Sequence, residues 1–255
     1  MIDLERELIP APELVTDGSS SLATYISVGA HFRRLLEQHV PLRPDMRVLE
    51  MVSAIGRISL QFTNILSESG SFTGIDIMPA QVAWCNGHIA ARYPWFRFLA
   101  ADIYNAEYNP GGTIKASSYR FPFADNELDL VVLTSVFTHM LRQDVAHYLS
   151  EIFRVLKPGG WCFSTFFAYG EQELPRVCTG DANPVFGFPI YRHNGKILAV
   201  CASAECIEEA VAYERGFLRG LFDEAGLVVN SELAGNWLKR DEVCHSYQDV
   251  IIAQR

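Results

Sequence analysis

Basic runs are missing from this sequence: no stretch holds five or more Lys or Arg, and 21 basic residues stand against 30 acidic ones, a formal net charge of −9 at pH 7. A nucleic acid or an anionic membrane surface is therefore disfavoured as a partner, because both are polyanions. No uninterrupted apolar stretch approaches the roughly 20 residues of a membrane span. The opening MIDLERELIPAPELV is acidic and lacks the basic region and apolar core of an export signal. The expectation is a cytoplasmic protein with a small-molecule substrate, no nucleic acid and no membrane. The six cysteines, Cys85, Cys162, Cys178, Cys201, Cys206 and Cys244, include no C-x-x-C pair and no His partner at zinc-like spacing. They read as reduced structural thiols, with no metal site. Internal repeats are absent, as is low complexity beyond Ser19-Ser20-Ser21.

What is present is apolar: 49% of the 255 residues are hydrophobic, enough to bury one large core. Tyr25 to Val40 carries Ile26, Phe32, Leu35 and Leu36 at helical spacing and stops before Pro41, which predicts an amphipathic helix. RVLEMV then reads as a strand, RISLQFTNILSES as a helix, SFTGIDI as a strand, and AQVAWCNGHIAARY as a helix ending before Pro94. FRFLAAD and LDLVVLTSV read as strands three and four, DVAHYLSEIFRVL as a helix, and GWCFSTFFA as strand five after Lys157-Pro158-Gly159-Gly160. The run CIEEAVAYERGFLRGLFDEAG reads as one helix capped by Gly226, and GLVVNSELAG and QDVIIAQR as the last strands. Regular β-α-β alternation with nearly continuous apolar strands predicts a mostly parallel sheet with helices on both faces. An N-terminal helical cap is expected over 1–40 and the main domain over 41–255. Two insertions interrupt it, at 104–123 and 169–204. The second contains PIYRHNGKILAV, whose Asn194-Gly195 suits a two-residue hairpin turn. Long loops in a compact domain read as lids.

The order VLE followed by Gly56-Arg57, then Gly74-Ile75-Asp76, Ala100-Ala101-Asp102, LDLVVLTSVFTHM and RVLKPGG resembles the class I S-adenosylmethionine-dependent methyltransferases. Trp84-Cys85, Tyr104-Asn105, the Tyr119–Pro122 stretch YRFP, Leu133–Met140 and the Ser246–Asp249 stretch SYQD are similar to phrases of the family's small-molecule members. The resemblance runs from about residue 25 to the C-terminus. It implies a Rossmann-like α/β fold with a seven-stranded, mostly parallel sheet, and S-adenosylmethionine as cofactor. It further implies that Glu50, Gly56, Asp76, Ile77, Asp102, Ile103 and Thr134 hold that cofactor. Asp76 would accept the ribose hydroxyls, its alternative being a helix N-cap before the AQVAW helix. Asp102 with Ile103 would meet the adenine, or simply end a strand. Trp84 would flank the adenine or pack in the core.

Glycine is what the loop VLEMVSAIGR has little of. Aligned on VLE, the family's two earlier glycines stand here as Val52 and Ala54, and only Gly56 remains. A β-branched residue fits poorly wherever φ is positive. Three readings stay open: a tolerated variant, a moved loop or a moved cofactor.

For chemistry, His139 lies just beyond the fourth strand, where parallel sheets place their ligands, and an imidazole suits base catalysis near neutral pH. A capping or packing role is its alternative. Tyr119 and Arg120 in the first insertion join it as candidate catalytic groups. Tyr25, Phe32, Tyr191, Arg192 and His193 are candidate lid residues, with ordinary surface chemistry as the alternative. His147 on the helix AHYLSEIF reads as structural. The implied activity is methyl transfer to a small, secondary-metabolite acceptor. A methyltransferase-like enzyme that does not methylate, performing ring closure or another reaction without the cofactor, is the alternative raised by Val52. A non-catalytic partner subunit ranks third, and a homodimer or a heteromeric partner stays open.

Overall fold

A computed structural model describes residues 8, 10, 11, 15, 21–179 and 182–255. Most of the first half of the expected N-terminal cap therefore lies outside the described residues, as do positions 180 and 181 of the second insertion. The chain forms two compact units, residues 1–102 with 128–132, and residues 103–127 with 133–255.

In the first unit, α1 spans Leu22–His39. Ser21 caps it by accepting from Thr24 N–H at 3.1 Å, and the helix ends before Pro41, whose missing N–H cannot continue it. Strands β1 (Arg47–Met51), β2 (Ser71–Asp76), β3 (Phe96–Ala100) and β4 (Leu128–Leu133) take the order β3-β2-β1-β4. β1 pairs parallel with β2, Met51 opposite Ile75, and β2 with β3, Asp76 opposite Ala100. Met51, Asp76 and Ala100 thus end at one edge. The strand order reverses around β1, a topological switch point where open sheets bind ligands. Phe72 stacks on Phe96 at 5.0 Å and meets Phe62 at 5.3 Å, which fills the space beneath β2 with aromatic surface.

Two helices depart from expectation here. The segment after β1 is helical only as α2, Ser59–Phe62. The Thr63 hydroxyl donates to Leu60 O at 2.7 Å, competing for a carbonyl that a longer helix would use. The next helix is α3, Pro79–Cys85, followed by a π-turn over Asn86–Ala90. Asn86 pairs its side-chain amide with both backbone groups of Phe98, at 2.8 and 3.1 Å, and so locks the irregular turn to β3.

The second unit holds α4 (Arg142–Val155), β5 (Leu156–Tyr169), α5 (Leu174–Cys178), β6 (Phe188–His193), β7 (Lys196–Cys201), β8 (Val211–Glu214), α6 (Arg215–Glu224), β9 (Val228–Leu233) and β10 (Asp249–Gln254). Its strands run β5-β8-β7-β6, with β10 antiparallel to both β5 and β9. The turn between β6 and β7 has φ of +50° at Asn194 and +79° at Gly195, as the Asn-Gly pair predicts.

Ten strands are present among the described residues rather than the expected seven. The surplus is the hairpin together with β8. The run CIEEAVAYERG… is not one helix: a 3-10 turn at Ile207–Glu209 and strand β8 precede α6. Val211, Ala212 and Tyr213 are buried between β7 and β5, and a strand buried on both sides has no alternation to distinguish it from a helix. The fold is nonetheless the expected Rossmann-like α/β type.

A buried charge cluster closes the C-terminal segment. Arg240, its side chain 3% exposed, meets Asp249 at 2.8 Å and Glu173 at 2.8 Å. Asp249 also accepts from Gly235 N–H, Ala168 N–H and the Trp237 indole. Such a pair is a weak source of net stability, but removing one partner strands the other charge. Asp249→Ala is expected to lower the unfolding free energy by about 3–5 kcal/mol, measured by urea denaturation. A loss under 1 kcal/mol would mean that Arg240 finds water instead.

Candidate functional site

The loop that follows β1 has a left-handed backbone at three positions, only one of which is glycine. φ is +59° at Val52, +44° at Ala54 and +86° at Gly56. Non-glycine residues there cost about 1–2 kcal/mol each, so the conformation must be imposed by neighbours. Asp76 supplies much of this: one carboxylate oxygen accepts Ala54 N–H at 2.6 Å and the other accepts Met78 N–H at 2.9 Å. Ser53 N–H donates to Ile75 O at 3.1 Å, and the Tyr25 hydroxyl, carried by α1, donates to Ile55 O at 3.0 Å. Cys85 donates its thiol to Ala54 O at 3.5 Å. Hydrogen bonds to a carboxylate are worth about 1.5–3 kcal/mol, enough to offset the strain.

Gly56 itself is fixed by packing: a Cβ there would stand 2.6 Å from Ile89 Cδ1 and 3.0 Å from Ser59 Oγ. Gly29 has the same role on α1, where a Cβ would come within 2.9 Å of Arg57 O. Of the three readings left open by the sequence, the backbone favours the tolerated variant: φ stays positive at both substituted positions, and Val52 is held under strain.

Charge beneath the loop is concentrated and dry. Asp76 is 2% exposed and Glu50 1%. Burial pushes the Asp76 carboxyl above its usual range, while the N–H groups of Met78, Ala54 and Ile77 pull it back. Burial, with the nearby Glu50 and Asp76 carboxylates, pushes the Cys85 thiol far up, which keeps it protonated and a donor. Ile77 is half-buried and Asp102 is exposed beyond β3. Trp84 is half-buried and stacks on His88 at 4.5 Å rather than lying in the core. Tyr25 and Phe32 are 1% and 6% exposed, so they are core and loop supports rather than lid surface.

To a nucleoside-sulfonium cofactor these residues would offer a backbone of positive φ at three positions. Ser53 Oγ and Ser59 Oγ are buried without a hydrogen-bond partner, which leaves polar atoms of the loop unengaged. Asp76 fits less simply, since it already works as brace and cap, with one further lone pair on each oxygen.

The second unit gathers the catalytic candidates on short segments. His139 ends a 3-10 turn, Phe137–His139. Its Nδ1 lies 3.0 Å from Glu208 O, a carbonyl that can only accept, so Nδ1 carries the proton and the neutral ring keeps its lone pair on Nε2. The Tyr108 ring stands edge-on to it at 5.7 Å. His147 Nε2 donates to Tyr119 O at 2.9 Å, and Glu151 and Arg154 bind the backbone of Phe121 and Phe123. Helix α4 therefore pins the segment carrying Tyr119 and Arg120, Tyr119 half-buried and Arg120 exposed. Burial raises the Tyr119 hydroxyl's pKa, which favours a donor over a phenolate. Ile103 and Thr134 are both 5% exposed. Tyr191 packs on Phe217 at 5.3 Å with Arg142 over its ring, while Arg192 and His193 are exposed beside the hairpin turn. Tyr108 and Glu208 were not singled out by sequence. Glu208 sits in the run misread as a helix, and the signal that could have exposed Tyr108 is Asn105-x-x-Tyr108, where an Asn can cap a local turn.

Residues 53–164 match a family model described as a methyltransferase domain. The chain is similar to the ubiquinone/menaquinone biosynthesis C-methyltransferase UbiE of Shewanella pealeana, 22% identical over 206 residues, covering 79% of this chain and 74% of the relative. In structure it is similar to a SAM-dependent methyltransferase from Methanosarcina mazei, with a TM-score of 0.51, 23% identity, and coverage of 87% of this chain and 96% of that one. It is also similar to the cyclase SpnF, with a TM-score of 0.51 and 18% identity over 79% of this chain, which spans only 59% of that structure.

Ala54→Gly relieves the left-handed penalty of about 1–2 kcal/mol against a glycine entropy cost of about 0.5–1 kcal/mol. It is expected to raise the unfolding free energy by up to about 1 kcal/mol in urea titration. A clear loss of stability would contradict the strained loop.

Proposed function

We propose that the chain, whose residues 53–164 match a methyltransferase domain, is a class I S-adenosylmethionine-dependent methyltransferase that methylates a small-molecule acceptor of secondary metabolism. The observation that carries this reading is the loop's left-handed backbone at Val52, Ala54 and Gly56. That strained course is retained rather than relaxed, and four hydrogen bonds to Ser53, Ala54 and Ile55 hold it.

S-adenosylmethionine, when bound, supplies an electrophilic sulfonium methyl group. The main chain of residues 52–56, with Glu50, Asp76, Ile77 and Asp102, would hold it. The protein's own share is positioning, together with a base where the acceptor must lose a proton. His139 suits that role, because its Nδ1–H is occupied by Glu208 O and its Nε2 lone pair is left for an acceptor O–H or N–H. Tyr119 and Arg120, pinned by α4, offer a neutral donor and a fixed positive charge to the acceptor. Tyr108, 43% exposed beside His139, adds an aromatic surface.

A second reading draws on one observation, that both Asp76 oxygens already serve the backbone and the residue is 2% exposed. A ribose diol then meets a carboxylate withdrawn from solvent. In this reading the chain is a methyltransferase-like enzyme in which His139, Tyr119 and Arg120 act on the acceptor without the cofactor.

Isothermal titration calorimetry with S-adenosylmethionine and S-adenosylhomocysteine, on protein shown by mass spectrometry to be ligand-free, separates the two. Micromolar binding, about −8 kcal/mol, is the expected result, and Val52→Gly with Ala54→Gly should strengthen it. Absence of binding by the folded protein, restored in the double glycine variant, would assign the chain to the second reading. Asp102→Ala, at an exposed position, should weaken binding.

A further inference from the structure

Residues 103–114 form a closed loop tied largely to itself. Tyr104 N–H donates to Ile114 O at 2.8 Å, Asn105 and Asn109 exchange backbone hydrogen bonds at 3.0 and 3.2 Å, and Asn109 Nδ2 reaches Ile103 O at 2.9 Å. The Asn105 side-chain carbonyl accepts Glu107 N–H and Tyr108 N–H, at 3.1 and 2.8 Å. Gly112 closes the loop because a Cβ would stand 2.5 Å from the Ile103 backbone. Yet Tyr104 and Tyr108 remain 44% and 43% exposed, so little apolar burial holds the loop in place.

Glu208, outside the loop, fastens it. Glu208, in the 3-10 turn Ile207–Glu209, accepts from Ala106 N–H at 2.9 Å and Asn105 Nδ2 at 3.4 Å with a single carboxylate oxygen. The same residue's main-chain carbonyl receives His139 Nδ1–H at 3.0 Å. The loop it fastens delivers Tyr108 edge-on to that imidazole. The side chain of one residue thus ties the loop that carries Tyr108, and its main chain ties His139 itself.

We propose that Glu208 is a positioning residue that fastens the 103–114 loop and holds His139 in its Nδ1–H tautomer, leaving Nε2 as the basic nitrogen. The value of that nitrogen to the reaction rests on the methyl-transfer reading, but the tautomer and the fastening do not. Without the carboxylate, the turn loses its ties to Asn105 and Ala106, the carbonyl is no longer held in register with the imidazole, and the ring exchanges between tautomers. Glutamine keeps an acceptor oxygen for Ala106 N–H, so it should substitute where alanine cannot.

The test uses the full chain with neither cofactor nor acceptor. Nitrogen-15 NMR of the histidine rings, with His139 assigned from a His139→Gln sample, should show a protonated Nδ1 and an unprotonated Nε2 in the neutral wild-type ring. Glu208→Ala should average the two nitrogens and raise chymotryptic cleavage after Tyr104 or Tyr108 about tenfold, the loss expected from about one to two net hydrogen bonds. Glu208→Gln should retain the wild-type spectrum and protection. An Nε2–H tautomer in the wild type overturns the proposal without recourse to any variant. So does a Glu208→Ala protein with unchanged tautomer and unchanged cleavage. Cofactor titration fails or succeeds independently of these signals, so a failed methyl-transfer reading is told apart from a failed assignment of Glu208.

Discussion

A single carboxylate governs the first unit. Asp76 ends β2 and reaches backward to Ala54 N–H and forward to Met78 N–H, so the loop after β1 and the start of α3 hang on the same side chain. The charged hydrogen bonds carry energy comparable to the strain of Val52 and Ala54 in the left-handed region. Around this brace the remaining contacts make sense as reinforcement: Tyr25 from α1, Cys85 from α3, and Gly56 allowing Ile89 to close against the turn. Together they hold Val52 and Ala54 at positive φ without a glycine at either position.

The second unit follows the same logic with different groups. Irregular segments are held by side chains that bind backbone, Glu208 at the 103–114 loop, His147 and Arg154 at the segment bearing Tyr119, and Asp249 with Arg240 at the C-terminal turn. Each tie leaves the neighbouring polar group in a defined state. His139 keeps one tautomer because a carbonyl meets its Nδ1, and Tyr119 stays a neutral donor because it is half-buried. Positioning by main-chain partners suits an enzyme whose chemistry asks chiefly for alignment.

Strand and helix assignments were readable where the pattern was strong and local. The runs at β1, β2, β3 and β4 are nearly continuous apolar stretches, α1 and α4 are amphipathic, and Asn194-Gly195 marks its turn by the only conformation those residues favour together. Failures fell where a segment's environment was decided from far away. β8 was hidden in a helical-looking run because β5 and β7 bury it on both sides. The RISLQF helix stopped after one turn once Thr63 bonded Leu60 O, and the following helix widened where Asn86 met Phe98.

The sequence by itself determined the alternation of strands and helices, the acidic, apolar character of the chain, and the placement of Asp76 at a strand end and of Asp102 and His139 beyond strand ends. Those properties follow from residue type and spacing, which local physics reads directly. Only the tertiary structure decided the conformation of Val52 and Ala54, the brace formed by Asp76, and the ring nitrogen of His139 that bears the proton. Each of these rests on partners 22 to 69 residues away, and a backbone strained against local preference persists only when distant groups hold it there.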